Sequence, residues 1–357
     1  MFLKNAWYMA GWSETLTEKP QGIRMLGEKI ALFRLENGEV AAIGDRCPHR
    51  FASLSGGVLV QNTLQCPYHG LRFDRSGACV HNPHHGGIIP PGAVTRSYPV
   101  EERHHGIWVW MGAPEAADPA LIPDLSMLDA PELVGTRGYL HVPADYRLVI
   151  DNLMDLTHVN YLHPLLGIED AAANTRVSVE QEGRDVWSYM WTDGSELPLL
   201  FQMLWRGPKG NAKMRGHMRW TAPAALLLDS GATEIGGDPG ASIFLPTAHL
   251  LTPETETSTH YFWTQYRDVL TDDAELTQQI HAGVAHTFAT EDEPMIAQVA
   301  ANMDGQDFWD LRPAILNTDA GAVRARRLLA KLIREEEAAA AKEPEGAGRP
   351  VESALPA

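Results

Sequence analysis

Two patterns of hydrophobic and polar residues follow one another along the chain. From residue 1 to about 110, apolar and polar positions alternate over short runs, as in IALFRLENGEVAAI around Asn37-Gly38. Alternation with a period of two is typical of half-buried strands, and Asn-Gly is a strong hairpin signal. The first pattern therefore predicts an all-β N-terminal domain.

The second pattern mixes strands with helices. Strand-like runs such as VWSYMWT and THYFWTQY lie between a helical run over 146–163 and another over 276–303, and a last helical run begins at Ala320. This mixture predicts an α+β domain with an antiparallel sheet. We assign residues 1–111 to the first domain, 112–135 to a linker rich in Pro, Ala and Asp, 136–335 to the second domain, and 336–357 to a disordered tail.

Composition and charge narrow the class of protein. The 357 residues are 44% hydrophobic and 21% charged, as in soluble globular proteins, and no run is long and apolar enough to span a membrane. The net charge of −17 argues against a nucleic-acid partner. The first residues lack the uninterrupted apolar core of a secretory signal, so we expect a cytoplasmic protein. Three cysteines do not make a disulfide framework.

Four of the soft metal ligands come in two matched groups in the β-domain. Cys47-Pro48-His49 and Cys66-Pro67-Tyr68-His69 are separated by sixteen residues, and both sit on loops. Two thiolates and two imidazoles suit a tetrahedral zinc site, or a [2Fe–2S] cluster in which two histidines replace two cysteines on one iron. Zinc fingers place their second pair on a helix, so the loop placement favours the iron–sulfur cluster.

A second group lies in DNLMDLTHVNYLHP, which begins at Asp151. His158 and His163 are five residues apart, so they converge only if the helix distorts or ends between them, and Pro164 disfavours helical backbone at His163. Two imidazoles and one carboxylate would form a facial triad for non-haem iron(II). The carboxylates available near the start of a helical run are Glu291, Asp292 and Glu293. A solvated surface helix is the alternative.

Together these motifs make the chain resemble the Rieske non-haem iron aromatic oxygenases, in particular the vanillate and dicamba O-demethylase oxygenases. CPHR and CPYHG match the cluster loops, N-x-x-D-x-x-H-x4-H matches the iron motif, and EDEPMIAQ matches the segment with the late aspartate. The resemblance implies a helix-grip (START-like) catalytic domain. It implies that Cys47 and Cys66 bind one cluster iron, that His49 and His69 bind the other, and that the mononuclear iron is held by His158, His163 and Asp292.

The resemblance also implies how the centres cooperate. Subunits would form a head-to-tail homotrimer in which Asp155 links His158 to His69 of a neighbouring subunit, while Asn152 lies near the iron. His249 and Asp229 would contact the substrate. The expected reaction is O-demethylation of a methoxylated aromatic acid to a phenol and formaldehyde, using O2 and electrons from NADH through a separate reductase of the FMN or ferredoxin type.

Two alternatives remain at this point. One is hydroxylation of a ring or a methyl group on an aromatic carboxylate or sulfonate. The other, from a different class, is a Rieske electron carrier with a non-catalytic second domain, which would need no second iron.

Overall fold

The computed structural model describes residues 2–168, 174–205, 207, 212–236 and 242–341. The chain forms two compact units, residues 1–122 with 332–357, and residues 123–331. The division falls inside the segment that we assigned to a linker. None of the described helices is long and apolar enough to cross a lipid bilayer.

Short antiparallel strands build the first unit, as the alternating pattern predicts. They form three sheets, with the orders β1-β11-β10, β2-β3-β4-β9 and β5-β6-β7-β8. The strands are β1 Trp7–Trp12, β2 Gln21–Met25, β3 Glu28–Arg34, β4 Val40–Gly44, β5 Val58–Val60, β6 Thr63–Gln65, β7 Arg72–Phe73, β8 Cys79–His81, β9 Ser97–Tyr98, β10 Val100–Arg103 and β11 Gly106–Trp110.

The hairpin predicted at Asn37-Gly38 joins β3 to β4, and Gly38 has the positive φ of 88° that such a turn favours. The third cysteine, Cys79, is buried in the apolar core around Leu54, Leu64 and Phe73. It therefore packs as a small hydrophobic residue.

A single seven-stranded antiparallel sheet with the order β12-β18-β17-β16-β15-β14-β13 forms the second unit. Its strands are β12 Val134–Val142, β13 Thr175–Glu182, β14 Asp185–Ser195, β15 Ala212–Thr221, β16 Ala225–Glu234, β17 Ile243–Pro253 and β18 Thr259–Arg267. The helices are α1 Tyr146–Met154, α2 Val159–Leu162, α3 Leu199–Leu204, α4 Ala274–Thr287, α5 Glu293–Met303 and α6 Ala320–Ala340.

Two expectations about the ends of elements need correction. The segment 112–135 contains three short 3-10 turns, and β12 begins at Val134, two residues before the start that we assigned to the second domain. The prediction of disorder from residue 336 is wrong for 336–340, which continue α6, and the Glu336 carboxylate accepts hydrogen bonds from the main-chain N–H groups of Lys4 and Asn5. Residues 342–357 lie outside the described residues.

Candidate functional site

Two matching turns carry the predicted cluster ligands in the first unit. The N–H of Phe51 donates to the Cys47 oxygen at 2.9 Å, and the N–H of Gly70 donates to the Cys66 oxygen at 3.1 Å. Both turns end in left-handed backbone, with φ of 63° at Phe51 and 72° at Gly70. The two loops are thus built alike, although the histidine follows the cysteine by two residues in one and by three in the other.

Thiols and imidazoles lie at different depths in this site. Cys47 and Cys66 are buried and adjacent, and burial, reinforced by Cys66, raises the pKa of the Cys47 thiol to about 11. The rings of His49 and His69 lie 4.5 Å apart at 63°, with His49 exposed. Nδ1 of His69 is buried and has no hydrogen-bond partner among the residues that the structure describes. An orphaned buried nitrogen beside two buried thiols fits a metal ligand set.

The spacing of these four residues bears on zinc. A tetrahedral zinc ion would gather its ligand atoms within about 4 Å of one another, because Zn–S and Zn–N bonds are only about 2.3 and 2.1 Å long. Within the described ranges, the one group of three or more His, Cys, Asp or Glu ligand atoms within 4.8 Å of one another lies elsewhere, in the second unit. The four residues of the two loops are not part of that group.

The helical run predicted over 146–163 is interrupted twice, although the sequence indicated only a break between the two histidines. Helix α1 ends at Met154, and Asp155 has non-helical φ and ψ of −106° and 89°. Oδ1 of Asp155 accepts hydrogen bonds from the N–H and Oγ1 of Thr157, at 2.9 and 2.6 Å, and so caps the short turn Leu156–His158. Aspartate at this position competes for backbone donors, which explains the break.

The backbone departs from helical geometry a second time at His163. After α2, this residue is extended, with φ of −111° and ψ of 97°. That is the expected effect of Pro164 on the residue before it. The two breaks bring the rings of His158 and His163 to 5.2 Å between centroids, at an angle of 75°.

Both imidazoles converge on one carboxylate. Oδ1 of Asp292 lies 3.6 Å from Nε2 of His158 and 3.3 Å from Nε2 of His163. One ligand atom from each of the three residues lies within 4.8 Å of the other two, and His163 and Asp292 are buried. Two nitrogens and one oxygen on the same side of a centre are the donor set that a facial triad for non-haem iron(II) uses.

Electrostatics support this donor set. Burial alone would raise the pKa of Asp292, but the contacts from His158 and His163 outweigh it and lower that pKa to about 2. Burial lowers the pKa of His163, but its contacts with Asp292 and Glu291 more than compensate, and the net shift is upward. The Asp292 carboxyl is therefore ionised at neutral pH, as a metal ligand must be.

A π-turn aims the acidic residues at the site. The helix predicted over 276–303 is interrupted at Phe288–Asp292, where the N–H of Glu293 donates to the Phe288 oxygen five residues back. Pro294 follows at once and has no N–H to continue an α-helical ladder. The π-turn accommodates the hydrogen bond that Pro294 cannot make. Single π-turns of this kind are frequent at functional sites.

The Nδ1 atoms of the two histidines have different partners. Nδ1 of His158 lies 2.5 Å from the main-chain oxygen of Asp155, whereas Nδ1 of His163 lies 2.7 Å from Oε2 of Glu291. The carboxylate of Asp155 therefore does not bond to His158, contrary to the expectation. Asn152 reaches the same centre, because its Nδ2 donates to Oδ1 of Asp292 at 3.3 Å.

His249 lies on the sheet face that packs against the π-turn. It is 3% exposed, its ring centroid is 5.9 Å from that of Phe288, and its Nδ1 lies 2.6 Å from the hydroxyl of Tyr261. Burial lowers its pKa to about 3, with Asp292 acting in the opposite direction. Nε2 of His249 is buried and lacks a hydrogen-bond partner in the described part of the chain.

Asp229 lies on the opposite face of the sheet from His249, so the two residues do not line one pocket together, contrary to the expectation. His249 pairs directly with Leu226 on β16, and Asp229 is three residues further along that strand. Side chains alternate between the faces of a sheet, so Asp229 points to the opposite side. There its carboxylate accepts from Nε of Arg215 at 2.8 Å.

Comparison with known proteins places these two centres in one family. The family model of the Rieske [2Fe-2S] domain matches residues 6–99, and the model of the vanillate O-demethylase oxygenase C-terminal domain matches residues 142–335. The chain belongs to the Rieske non-haem iron oxygenases. Its cofactors are accordingly a Rieske [2Fe–2S] cluster and a mononuclear non-haem iron.

Relatives that this Rieske oxygenase matches over almost their whole length are also oxygenase components. The oxygenase component of chloroacetanilide N-alkylformylase from Rhizorhabdus wittichii (strain DC-6 / KACC 16600) is 43% identical, over 94% of this chain and 97% of the relative. The oxygenase component of dicamba O-demethylase from Stenotrophomonas maltophilia is 39% identical, over 93% and 98%. The crystal structure of dicamba monooxygenase with non-haem iron and dicamba matches with a TM-score of 0.80 at 36% identity, over 95% and 99%.

Sequence reasoning missed two residues of this Rieske oxygenase site. Tyr261 was not singled out, because an aromatic residue on a strand is usually part of the core. Glu291 was named only as an alternative to Asp292, whereas the structure gives the two neighbours different nitrogens of one imidazole. The pattern EDEP, in which Pro294 follows three acidic residues, is the signal that could have indicated a local change of helical register.

Proposed function

We propose that this chain is the terminal oxygenase component of a monooxygenase that O-demethylates a methoxylated aromatic acid. Electrons from NADH would arrive through a separate reductase. The observation that carries the proposal is the compact group His158, His163 and Asp292. The charge of Asp292 acts on the buried His249, whose Nε2 has no hydrogen-bond partner among the described residues. A pure electron carrier has no use for such a group.

The proposed ligands are those that the family resemblance implies, and the geometry above is compatible with them. Cys47 and Cys66 would hold one iron of the cluster, and His49 and His69 the other. The donor atoms of His158, His163 and Asp292 would hold the mononuclear iron. When bound, the cluster supplies single electrons, and the mononuclear iron supplies dioxygen activation and the insertion of one oxygen atom into a C–H bond.

The reaction fits an aryl methyl ether. Insertion of oxygen into a methyl C–H bond gives a hemiacetal, which collapses to a phenol and formaldehyde. The second oxygen atom of O2 leaves as water, with two electrons and two protons supplied by the reductase and the solvent. Asn152, bonded to the Asp292 carboxylate, fixes that carboxylate in position for this chemistry.

His249 would bind and orient the substrate. Its low pKa keeps the imidazole neutral at physiological pH, so one ring nitrogen carries a proton and the other does not. If the Tyr261 hydroxyl donates to Nδ1, Nε2 carries the proton and donates to a substrate carboxylate. The absence of Asp229 from this face removes a negative charge that would repel such an acid.

Asp155 supports the proposed passage of electrons between subunits. Its Oδ1 caps the turn at Thr157, and its Oδ2 makes no hydrogen bond to any residue that the structure describes. Tyr161, on the adjacent helix α2, is 84% exposed. We therefore keep the head-to-tail homotrimer, with Oδ2 bonded to His69 of a neighbouring subunit, as a proposal for a cytoplasmic enzyme.

The test is a substrate panel. Purified enzyme, a surrogate NADH-dependent reductase and a series of methoxybenzoates, methylbenzoates and toluenesulfonates are assayed for formaldehyde and for hydroxylated products. We expect stoichiometric formaldehyde and phenol from at least one methoxybenzoate. Hydroxymethyl or ring-hydroxylated products alone would contradict O-demethylation and support the alternative hydroxylase.

A second candidate is oxidation at a carbon bound to an anilide nitrogen. It is favoured by the chloroacetanilide relative, which at 43% identity is more similar than the dicamba relative at 39%. A neutral His249 is compatible with an uncharged amide as well as with an acid. Adding N-alkoxyalkyl chloroacetanilides to the same panel separates the two candidates by their products.

A further inference from the structure

The carboxylates of two consecutive residues, Glu291 and Asp292, meet the two nitrogens of one imidazole. Oε2 of Glu291 lies 2.7 Å from Nδ1 of His163, and Oδ1 of Asp292 lies 3.3 Å from Nε2 of the same ring. Both acidic residues belong to the π-turn Phe288–Asp292, which ends just before Glu293 and Pro294. His163 is thus held from both edges.

We propose that Glu291 is a positioning residue for the mononuclear iron, acting through His163. This rests on the proposed ligand set, since it concerns the residue that orients one of its members. A ligating histidine commonly donates its second N–H to a carboxylate, which fixes the tautomer and makes the ring a stronger ligand. With Nδ1–H donated to Glu291, the lone pair of Nε2 faces Asp292 and the iron position.

Glu291 makes the two histidines unequal ligands. The Nδ1 partner of His158 is a neutral main-chain oxygen, whereas that of His163 is a carboxylate. A charge-assisted hydrogen bond is roughly twice as strong as a neutral one. His163 is therefore the more firmly oriented and more electron-rich ligand, and it is the histidine whose backbone is released from the helix by Pro164.

Charge balance points the same way. A ferrous ion carries two positive charges, and Asp292 and Glu291 together supply two negative ones, beside the buried rings of His249 and Tyr261. A buried charge needs compensation. Glu291 is largely shielded, with its side chain 19% exposed, so its charge is not lost to solvent screening. Without the charge of Glu291, the ferrous site would carry one net positive charge.

The experiment measures iron binding as well as turnover. Glu291→Leu, which removes the acceptor, and Glu291→Gln, which keeps a neutral oxygen acceptor, are compared with wild type by anaerobic equilibrium dialysis of Fe(II) against a chelator. The visible absorption of the cluster reports that the other centre is intact. Glu293→Leu, two residues away and outside the compact group, is the matched control. Asp292→Asn tests the ligand set itself.

We expect Glu291→Leu to weaken Fe(II) binding about 10- to 100-fold with the cluster spectrum unchanged. Glu291→Gln should recover part of that loss, and KM should change less than kcat in both variants. Wild-type Fe(II) affinity in Glu291→Leu, or an equal loss in Glu293→Leu, would overturn the role of Glu291 while leaving the ligand set in place. Undiminished Fe(II) binding by Asp292→Asn would overturn the ligand set, and the role of Glu291 with it.

Discussion

The imidazole of His158 hydrogen-bonds to the main-chain oxygen of Asp155 and not to the Asp155 carboxylate. Oδ1 of that carboxylate binds Thr157, and Oδ2 has no bond to the described residues of its own chain. The two carboxylate oxygens of Asp155 can therefore have different roles. One closes the turn that presents His158, and the other remains available to a residue of another subunit.

Replacing Asp155 by Asn tests this division. The amide oxygen can still cap Thr157, since Asn is as good a cap as Asp, so we expect a folded protein with both metal centres. An amide NH2 group, which donates and does not accept, replaces the charged Oδ2, and we expect formaldehyde release to fall about 10- to 100-fold. Metal analysis and a steady-state assay with the reductase measure both effects.

The control is Asp273→Asn, at the start of α4. Its carboxylate also caps a turn, accepting from the N–H of Leu276 at 2.9 Å, but it lies outside the metal-binding group. This variant should turn over like wild type. If Asp155→Asn also turned over like wild type, the proposed link between subunits would be wrong.

The buried His249 should make stability depend on pH. Burial lowers its pKa from 6.5 to about 3, so the unfolded chain binds a proton below pH 6.5 that the folded protein refuses. Stability is therefore lost as pH falls through the window from about 6.5 to 3, by at most about 1.4 kcal/mol per pH unit, and is unaffected above it. His249→Gln removes this contribution.

Urea unfolding at pH 6 and pH 5 checks the prediction. The free energy of unfolding of wild type should fall by about 1 kcal/mol more than that of His249→Gln between these values. His286→Gln, which removes an exposed histidine from α4, should behave like wild type. Parallel losses in wild type and His249→Gln would show that His249 is protonated in the folded protein.

Substitutions of Asp229 and His249 should have different effects on KM. Asp229→Asn lies on the opposite face of the sheet, and the pair with Arg215 that it weakens is partly exposed, worth about 1 kcal/mol or less. We expect its KM to stay within about twofold of wild type and that of His249→Gln to rise about 10-fold, the loss of roughly one hydrogen bond. A larger rise in KM for Asp229→Asn would indicate that Asp229 contacts the substrate.

These two residues also show where sequence reasoning fails. Both stand on strand-like runs, and the chain alone does not reveal which residue of β16 lies opposite His249. The register pairs Leu226 with His249, and a shift of one residue would exchange the two faces. Register depends on contacts distant in sequence, so Asp229 was expected on the same side as His249.

The cysteines and histidines proposed as ligands were easier to locate, because short spacings in the sequence keep the members of each group together, whereas Asp292 is distant in sequence. The Cys-Pro turns and the pair His158 and His163 are local, and Pro164 predicts the backbone at His163. The break at Asp155 and the π-turn before Pro294 are also local. At Asp155 a helix competes with side-chain capping, and before Pro294 an α-helix competes with a π-turn. Helix propensity alone does not decide either competition. Tyr261 became visible only through its 2.6 Å contact with His249.

The proposed function depends most on the site formed by His158, His163 and Asp292. The most direct measurement is the iron content of Asp292→Ala, beside wild type, together with its visible spectrum and formaldehyde release. We predict about three irons per chain in wild type and about two in the variant, with the Rieske spectrum retained and turnover lost. A variant that kept all of its iron and demethylated its substrate at the wild-type rate would contradict the central claim.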